Sequence, residues 1–254
     1  MSTPQRYLNQ VAVVTGGSTG IGFAIAQQLI NEGAKRVYIT GRSLDTLNLA
    51  AQTLGASAIP VVSDVAKLTD LEALKHAIEQ RGDTLTQLFA NAGIAEYNSF
   101  GNTTEREFDK TFDINVKGVF FTVQTLLPLM QASSAIVLTG SIVGNKGMEN
   151  LSIYSASKAA VRSFARTWAN ELKARKIRVN TLSPGLTRTP IMENGLKLNA
   201  EQLAQLQDYA STAVPTGYIA TPQEIAAAAL FLASNEASYI NGIELTVDGG
   251  MTQI

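Results

Sequence analysis

Short runs of β-branched and apolar residues alternate along this chain with longer segments whose apolar residues recur at helical spacing. Such alternation predicts a doubly wound α/β fold, in which a parallel sheet is covered by helices on both faces. No linker, repeat or low-complexity stretch interrupts the 254 residues, which predicts a single domain. The predicted strands are residues 11–15, 36–40, 59–63, 87–91, 135–139, 178–182 and 243–247. The predicted helices are residues 20–32, 44–54, 70–81, 105–130 (bent or broken), 153–174 and 222–233.

Three helix starts carry the capping-box pattern, in which a threonine precedes a glutamate by three positions. The pairs are Thr69 with Glu72, Thr104 with Glu107, and Thr221 with Glu224. Residues 189–218 are more irregular, with an amphipathic piece at 200–210. Long insertions of this kind in α/β domains are often lids, and we predict a substrate lid here.

Composition narrows the classes of function. The formal net charge is −1, so there is no electrostatic reason to expect nucleic acid or an anionic membrane as a partner. The chain has no cysteine, and no His/Asp/Glu cluster has metal-ligand spacing, so no metal site is predicted. Residues 1–10 are polar and lack the apolar core of a signal peptide, so a soluble cytoplasmic protein is expected.

A glycine-rich turn, Gly16-Gly17-Ser18-Thr19-Gly20-Ile21-Gly22, joins the first predicted strand to the first predicted helix. Glycines at such a place let the backbone approach a pyrophosphate at the positive end of a helix. An ordinary glycine-rich strand–helix turn is the simpler alternative. The residues assigned to cofactor binding from this turn are Gly16, Ser18, Thr19, Gly20, Ile21 and Gly22.

The second predicted strand ends at Thr40-Gly41-Arg42-Ser43, where an acid would bind the ribose 2′-hydroxyl of NAD. This chain has no acid there, and Arg42 offers a guanidinium suited to a 2′-phosphate, with Ser43 and Ser18 as helpers. NADP(H) is therefore favoured over NAD(H), although Arg42 could be a solvated surface residue. Further along, Asp64-Val65 is assigned to the adenine and Asn91-Ala92-Gly93 to the crevice, with turn chemistry as the alternative for both.

Tyr154 and Lys158 are four residues apart on a predicted helix, so both side chains can point into one cleft. A nearby cation favours the phenolate, and we expect Lys158 to lower the pKa of Tyr154. Ser141, 13 residues upstream, follows a predicted strand and could donate a hydrogen bond at the same site. A surface pair and a turn serine are the alternatives.

Taken together, these motifs resemble the short-chain dehydrogenase/reductase family, and the resemblance covers about residues 11–250. The matching residues are Thr15-Gly16-x-x-x-Gly20-x-Gly22, Asp64, Asn91-Ala92-Gly93, Asn115, Ser141, Tyr154-x-x-x-Lys158 and Pro184-Gly185. The resemblance implies a Rossmann-type seven-stranded parallel sheet, usually in a homotetramer. It also implies hydride transfer between a nicotinamide and a carbonyl or alcohol.

The resemblance assigns four residues to the chemistry. Ser141 would donate a hydrogen bond to the reacting oxygen, and Tyr154 would be the proton donor or acceptor. Lys158 would hold the nicotinamide ribose, and Asn115 would anchor a water that connects Lys158 to solvent. The nicotinamide pocket would be formed by Pro184, Gly185, Thr187 and Thr189, although family members often have a branched aliphatic residue where Thr187 stands.

The predicted substrate contacts are apolar, which favours a neutral ketone or secondary alcohol over a charged sugar phosphate. They are Ile142, Val143, Leu151, Leu186 and Met192. The alternatives within the family are a 3-oxoacyl-(carrier protein) reductase and a sugar or steroid dehydrogenase. A non-catalytic NADP-binding sensor is the alternative from another class, and the presence of Ser141, Tyr154 and Lys158 argues against it.

Overall fold

Within residues 5–254, which the computed structural model describes, seven strands form one parallel sheet in the order β3-β2-β1-β4-β5-β6-β7. The strands are β1 (Val11–Val14), β2 (Arg36–Gly41), β3 (Ala58–Val62), β4 (Leu85–Ala90), β5 (Met130–Thr139), β6 (Arg178–Pro184) and β7 (Glu244–Val247). All seven predicted strands are present. The largest difference is at β5, which begins five residues earlier than predicted.

The helices lie between the strands. They are α1 (Gly20–Asn31), α2 (Leu44–Leu54), α3 (Leu68–Glu79), α4 (Glu105–Phe112), α5 (Gly118–Leu126), α6 (Ser152–Glu171), α7 (Ile191–Asn194), α8 (Ala200–Ala213) and α9 (Pro222–Ala233). One face of the sheet packs against α1, α2 and α9, and the other against α3, α5 and α6. Along β1, Ala12 and Val14 face the first group while Val11 and Val13 face the second, as the alternation of a strand requires. The predicted doubly wound fold is confirmed.

Two of the three predicted capping boxes form. Thr104 caps α4 and Thr221 caps α9, and in each box the glutamate side chain accepts a hydrogen bond from the threonine N–H. The prediction for Thr69 is wrong, because α3 begins two residues earlier than predicted and takes Lys67 as its N-cap. The Asp70 carboxylate instead accepts a hydrogen bond from the Asp64 N–H at 2.9 Å, so it ties the helix to the turn after β3.

The predicted helix 105–130 is broken, as expected. A π-helical turn, Asp113–Lys117, separates α4 from α5, and a short 3₁₀ turn, Leu127–Leu129, leads into β5. π-Turns inside helices are rare and frequently lie at functional sites. Asn115 sits in the middle of this one.

No helix within residues 5–254 combines the length and the hydropathy needed to cross a bilayer. Residues 1–4, the start of the polar segment discussed above, lie outside the described residues.

Asp83, a buried carboxylate on the loop before β4, connects this loop to β2 at the amino edge of the sheet. Asp83 accepts a hydrogen bond from the Tyr38 hydroxyl at 2.7 Å and pairs with the Arg36 guanidinium. Removing it leaves both partners without their acceptor. We expect Asp83→Ala to lower the free energy of unfolding by about 3 kcal/mol, measured by urea denaturation. The exposed Glu72, 3.8 Å from Lys75, is the control, and Glu72→Ala should change stability by less than about 0.5 kcal/mol. Equal effects of the two variants would contradict the prediction.

Candidate active site

The glycine turn after β1 has the geometry of a phosphate cradle. Gly16 and Gly20 take left-handed φ values of +64° and +55°, which glycine adopts without strain. A Cβ on Gly22 would overlap the Gly16 carbonyl oxygen, so only glycine lets α1 start this close to the turn. The N-cap of α1, Thr19, makes no side-chain cap bond, whereas α2, α4, α8 and α9 are all capped by side chains. The N–H groups of the first turn of α1 therefore remain available to an anion, and the residues fit the pyrophosphate of a dinucleotide.

The end of β4 is bonded directly to the end of β1. The Thr15 hydroxyl accepts hydrogen bonds from the N–H groups of Asn91 and Ala92, both at 3.0 Å. The Asn91 side chain donates to the Thr15 carbonyl at 3.1 Å and accepts from the Thr139 hydroxyl at 3.3 Å. Asn91 thus joins the ends of β1, β4 and β5, which is more than the turn role considered for it.

At the end of β2, Gly41 faces Ser18, and a Cβ on Gly41 would lie 3.2 Å from the Ser18 hydroxyl. Arg42 is exposed at the same edge. The Ser43 hydroxyl accepts from the Thr46 N–H at 3.4 Å as the N-cap of α2, so it has a structural role that the sequence analysis did not assign. The structure therefore brings Ser18, Gly41 and Arg42 together.

Asp64 and Val65, the pair assigned to the adenine, both have structural contacts. One Asp64 carboxylate oxygen accepts from the Ala66 N–H at 3.1 Å, which is the turn alternative considered for this residue. Val65 is buried and packs on Gly118, where an added Cβ would lie 2.8 Å from a Val65 methyl group. The second Asp64 oxygen is left for other partners.

Ser141 and Tyr154 meet across the carboxyl edge of the sheet. Ser141 follows β5 and caps the short 3₁₀ turn Ile142–Gly144, where its Oγ accepts from the Val143 N–H at 3.4 Å. Burial raises the pKa of Tyr154, and a hydrogen bond from Ser141 lowers it, with burial the larger effect. The expectation that Lys158 lowers the Tyr154 pKa is therefore wrong for the protein alone, where desolvation of the phenolate sets the direction.

Lys158 is 5% exposed, and its ammonium lies 5.7 Å from the centre of the Tyr154 ring. Its Nζ donates a hydrogen bond to the Thr139 carbonyl at 2.9 Å, which places the cation beneath the end of β5. Burial lowers the pKa of Lys158 to about 8. Two of its three N–H donors remain for other partners in the cleft.

Asn115 is fully buried, and its amide spans two elements. Its oxygen accepts from the Ile94 N–H at 2.9 Å, and its nitrogen donates to the Ile94 carbonyl at 2.9 Å and to the Ser157 hydroxyl at 3.0 Å. Ser157 in turn donates to the Tyr154 carbonyl at 2.7 Å. Ser157 was not predicted as a site residue, although its position three residues after Tyr154 placed it on the same side of the helix. The Asn115 side chain thus fixes the loop after β4 against α6.

The residues after β6 approach the glycine turn from the opposite side. Thr189 lies against Gly20, where an added Cβ would be 3.4 Å from the Thr189 side chain. Gly185 packs so closely on Asp248 that a Cβ there would be 2.6 Å from the Asp248 Cβ. The Thr187 hydroxyl donates to the Gly185 carbonyl at 3.1 Å. Asp248 was missed, and the glycine pair that follows it was the signal available in the sequence.

All five predicted substrate residues share one apolar cluster, and Tyr154 packs against it. Ile142, Val143, Leu151 and Met192 are buried in it, and Leu186 is partly buried. Six further members of the cluster lie in the predicted lid, 189–218, and three others were not predicted. The six are Leu196, Leu198, Leu203, Leu206, Ala210 and Val214, and the three are Met148, Ile219 and Met251. Several of these come from α8 and its flanks, so residues 189–218 do cover the side of the site where Tyr154 lies.

Among residues 5–254, no three His, Asp or Glu side chains lie together in a way that would hold a metal ion.

The burial of Lys158 gives a prediction about stability. A depressed pKa means that folding disfavours the charged ammonium, and this penalty is present at pH 7 and relieved as pH rises from about 8 to the unfolded value near 10.4. We expect Lys158→Met to raise the free energy of unfolding at pH 7 by about 2 kcal/mol. The gain should shrink at pH 9.5. Urea denaturation at both pH values measures it, with the exposed Lys173→Met as the control. A loss of stability at pH 7 would contradict the prediction.

A family model, curated relatives and solved structures that are similar to this chain identify its family. The family model described as "Enoyl-(Acyl carrier protein) reductase" matches residues 16–252. An oxidoreductase of Sarocladium schorii is 40% identical, with all of both chains covered. The NADP-dependent (R)-specific alcohol dehydrogenase of Lentilactobacillus kefiri is 36% identical over 97% of this chain and 98% of the relative.

A solved structure, a glucose/ribitol dehydrogenase of the short-chain type from Brucella melitensis, superposes with a TM-score of 0.90. It is 29% identical, and the alignment covers 97% of this chain and 98% of that one. The chain belongs to the short-chain dehydrogenase/reductase family of oxidoreductases.

Proposed function

We propose that this protein is an NADP(H)-dependent oxidoreductase that interconverts a ketone and a secondary alcohol, with Tyr154 as the general acid and base. The observation that supports it most is the convergence of Ser141, Tyr154 and Lys158 at the carboxyl edge of the sheet, where the glycine turn also lies. Ligands of open α/β sheets bind at this edge.

Hydride transfer at the carbonyl carbon is the chemistry that a bound nicotinamide supplies. Ser141 donates a hydrogen bond to the substrate oxygen and stabilises the negative charge that develops there. Tyr154 donates the proton that this oxygen needs to become a hydroxyl. Burial raises the pKa of Tyr154, so its phenol holds its proton at neutral pH, as an unperturbed tyrosine also does.

Lys158 has a different part in the proposal. Its Nζ is fixed by the Thr139 carbonyl and directs its remaining donors into the cleft, where they can hold the ribose hydroxyls of the cofactor. The bonds of the Asn115 side chain to Ile94 and Ser157 hold the surrounding backbone, and we propose that Asn115 anchors the relay water, as the family resemblance implies.

The preference for NADP(H) is supported by the end of β2, where Gly41 faces Ser18, Arg42 is exposed, and the sequence Thr40-Gly41-Arg42-Ser43 contains no acid. A guanidinium and a hydroxyl recognise a 2′-phosphate, which an acid at this place would repel. The Lentilactobacillus relative, named as NADP-dependent, supports the same choice.

The apolar cluster around Tyr154 supports a neutral, largely apolar ketone as substrate. Three of the five methionines, Met148, Met192 and Met251, belong to it. Methionine side chains are flexible and fill irregular spaces, so this pocket can adapt to bulky groups beside the carbonyl. We propose that residues 189–218 act as the lid that closes on the substrate.

A carrier-bound 3-oxoacyl group is a second candidate, favoured by the description of the matching family model. An acidic carrier needs a basic surface at the site mouth, and no Lys or Arg occurs between Lys117 and Lys146. Turnover of a β-ketoacyl thioester far above that of any simple ketone would favour this candidate.

Substitution of Tyr154 tests the acid directly. We expect Tyr154→Phe to lower kcat/KM for ketone reduction by about 10²–10⁴-fold, since the phenylalanine keeps the packing and loses only the proton donor. NADPH absorbance with a panel of ketones measures it. The fully exposed Tyr239, between α9 and β7 and outside the proposed lid, is the matched control, and Tyr239→Phe should leave kcat/KM within about twofold of the wild type. Equal, measurable turnover by the wild type and Tyr154→Phe would refute the proposed acid. If the wild type reduced no ketone in the panel, a non-catalytic NADP-binding sensor would be favoured instead.

Cofactor choice is tested at Gly41, where the nearest neighbours of an added Cβ would be the Ser18 hydroxyl at 3.2 Å and Leu47 at 3.6 Å. We expect Gly41→Asp to lower the NADPH/NADH ratio of kcat/KM by at least about tenfold, or about 1.4 kcal/mol, through repulsion of the 2′-phosphate. Gly41→Asn has the same size without the charge and should shift the ratio much less. An unchanged ratio in Gly41→Asp would contradict the assignment of this edge.

A further inference from the structure

The Glu244 carboxylate contacts polar side chains from three segments around the candidate active site. Glu244 on β7 accepts from the Asn145 side-chain amide at 2.6 Å and from the Ser183 hydroxyl at 2.7 Å, and it pairs with Arg162 Nε at 2.6 Å. We propose that Glu244 is a positioning residue that holds Ser141 in place against Tyr154, and this proposal rests on the function proposed above.

The register of β7 in the sheet places the Glu244 side chain next to these three partners. Glu244 is opposite Thr181 in the β6–β7 register, so its side chain lies on the same face as those of Thr181 and Ser183. That face is covered by α6, the helix of Tyr154 and Lys158. The Glu244 side chain is only 10% exposed although β7 is the last strand of the sheet.

The segment that carries Ser141 is fixed on both sides by partners of Glu244. On the amino side, Gly140 donates its N–H to the Leu182 carbonyl at 2.7 Å and lies directly over Ser183, where an added Cβ would be 2.5 Å from the Ser183 hydroxyl. On the carboxyl side, Asn145 ends the 3₁₀ turn that Ser141 caps. Ser183, beneath Gly140, and Asn145 therefore both donate hydrogen bonds to the Glu244 carboxylate, one on each side of the Ser141 segment.

The third partner connects the carboxylate to α6. Arg162 is one helical turn after Lys158 and two after Tyr154, on the same side of the helix. The turn after Ser141 also touches this helix, since a Cβ on Gly144 would lie 3.3 Å from the Ala159 nitrogen. Glu244 therefore fixes the distance between the segment of the hydrogen-bond donor and the helix of the proton donor.

The charge and shape of Glu244 are both needed for this arrangement. Asn145 and Ser183 donate hydrogen bonds and Arg162 supplies a positive charge, and a carboxylate is the side chain that can serve all three. In Glu244→Gln, an amide nitrogen at the Oε2 position would face both Asn145 and Arg162, whereas one at the Oε1 position would face the Ser183 hydroxyl, which can accept. In either orientation Arg162 loses its counter-charge, so the tie between α6 and the turn before Asn145 is weakened. Displacements of about 1 Å in an active site can lower turnover about 100-fold.

The test is a double-mutant cycle with purified full-length protein. We expect Glu244→Gln to lower kcat for ketone reduction about 10- to 100-fold, with the NADPH dissociation constant, measured by fluorescence titration, changed less than about twofold. In the Ser141→Ala background, the same substitution should lower kcat by less than about twofold, because the group that it positions is already absent. If Glu244→Gln does not fold, Asn145→Ala removes one bond of the three and should show a smaller loss with the same dependence on Ser141.

The matched control is Glu32, which pairs with Arg6 Nε at 2.6 Å and is also 10% exposed in its side chain, but lies away from the carboxyl edge. Glu32→Gln should leave kcat unchanged. Equal losses of kcat for Glu244→Gln in the wild-type and Ser141→Ala backgrounds, or an equal loss in Glu32→Gln, would overturn the proposal. Unchanged kcat in Glu244→Gln beside an active wild type would overturn this proposal alone, whereas a wild type that reduces no ketone would overturn the proposed function with it.

Discussion

The parallel pairing of β1 with β4 is the constraint on which the site depends. At this pair the strand order reverses, because β2 and β3 continue on one side and β5 to β7 on the other. The connections on the two sides leave in opposite directions, and a crevice opens at the carboxyl ends of the strands. Thr15 and Asn91 close the bottom of that crevice with hydrogen bonds in which the side chain of each residue meets the backbone of the other, so its shape is fixed by the chain itself. Gly16, Ser141 and Lys158 reach one place because each follows, or lies over, a strand that ends there.

Desolvation then decides how the polar groups in the crevice behave. The same burial that raises the pKa of Tyr154 lowers that of Lys158, so both side chains are driven towards their neutral forms. A raised pKa keeps the phenol protonated and makes it a weaker acid than a free tyrosine. A desolvated lysine gains most from a ligand that brings acceptors, and ribose hydroxyls are such acceptors. Lys158 was expected to act on Tyr154 as a charge and, by resemblance, to hold the nicotinamide ribose. Its burial was not predicted, because burial depends on the whole fold.

Sequence patterns predicted what depends on neighbours along the chain. The starts of α4 and α9, the glycine turn and the positions of all seven strands follow from local spacing and residue type. The error at Thr69 shows the limit of this, since Asp70 is used instead in a contact with the turn after β3 that no local pattern encodes. Contacts across the fold were not predictable in the same way. Glu244 meets Ser183 and Asn145 over 61 and 99 residues of sequence, and only the register of β6 with β7 brings them together.

The 3₁₀ turn after β5 connects the chemistry to the choice of substrate. Ser141 caps this turn, and the next two residues, Ile142 and Val143, lie in the apolar cluster against which Tyr154 packs. In the proposed reaction, a bulky substrate that contacted Ile142 and Val143 would also press on the segment that carries Ser141. The remainder of the cluster contains flexible methionines and can yield, whereas the turn is closely packed on α6 and cannot move without disturbing it. The proposed function therefore places the adjustment to substrate size on the methionine side of the cluster, beneath the proposed lid, and leaves the segments of Ser141 and Tyr154 where they are.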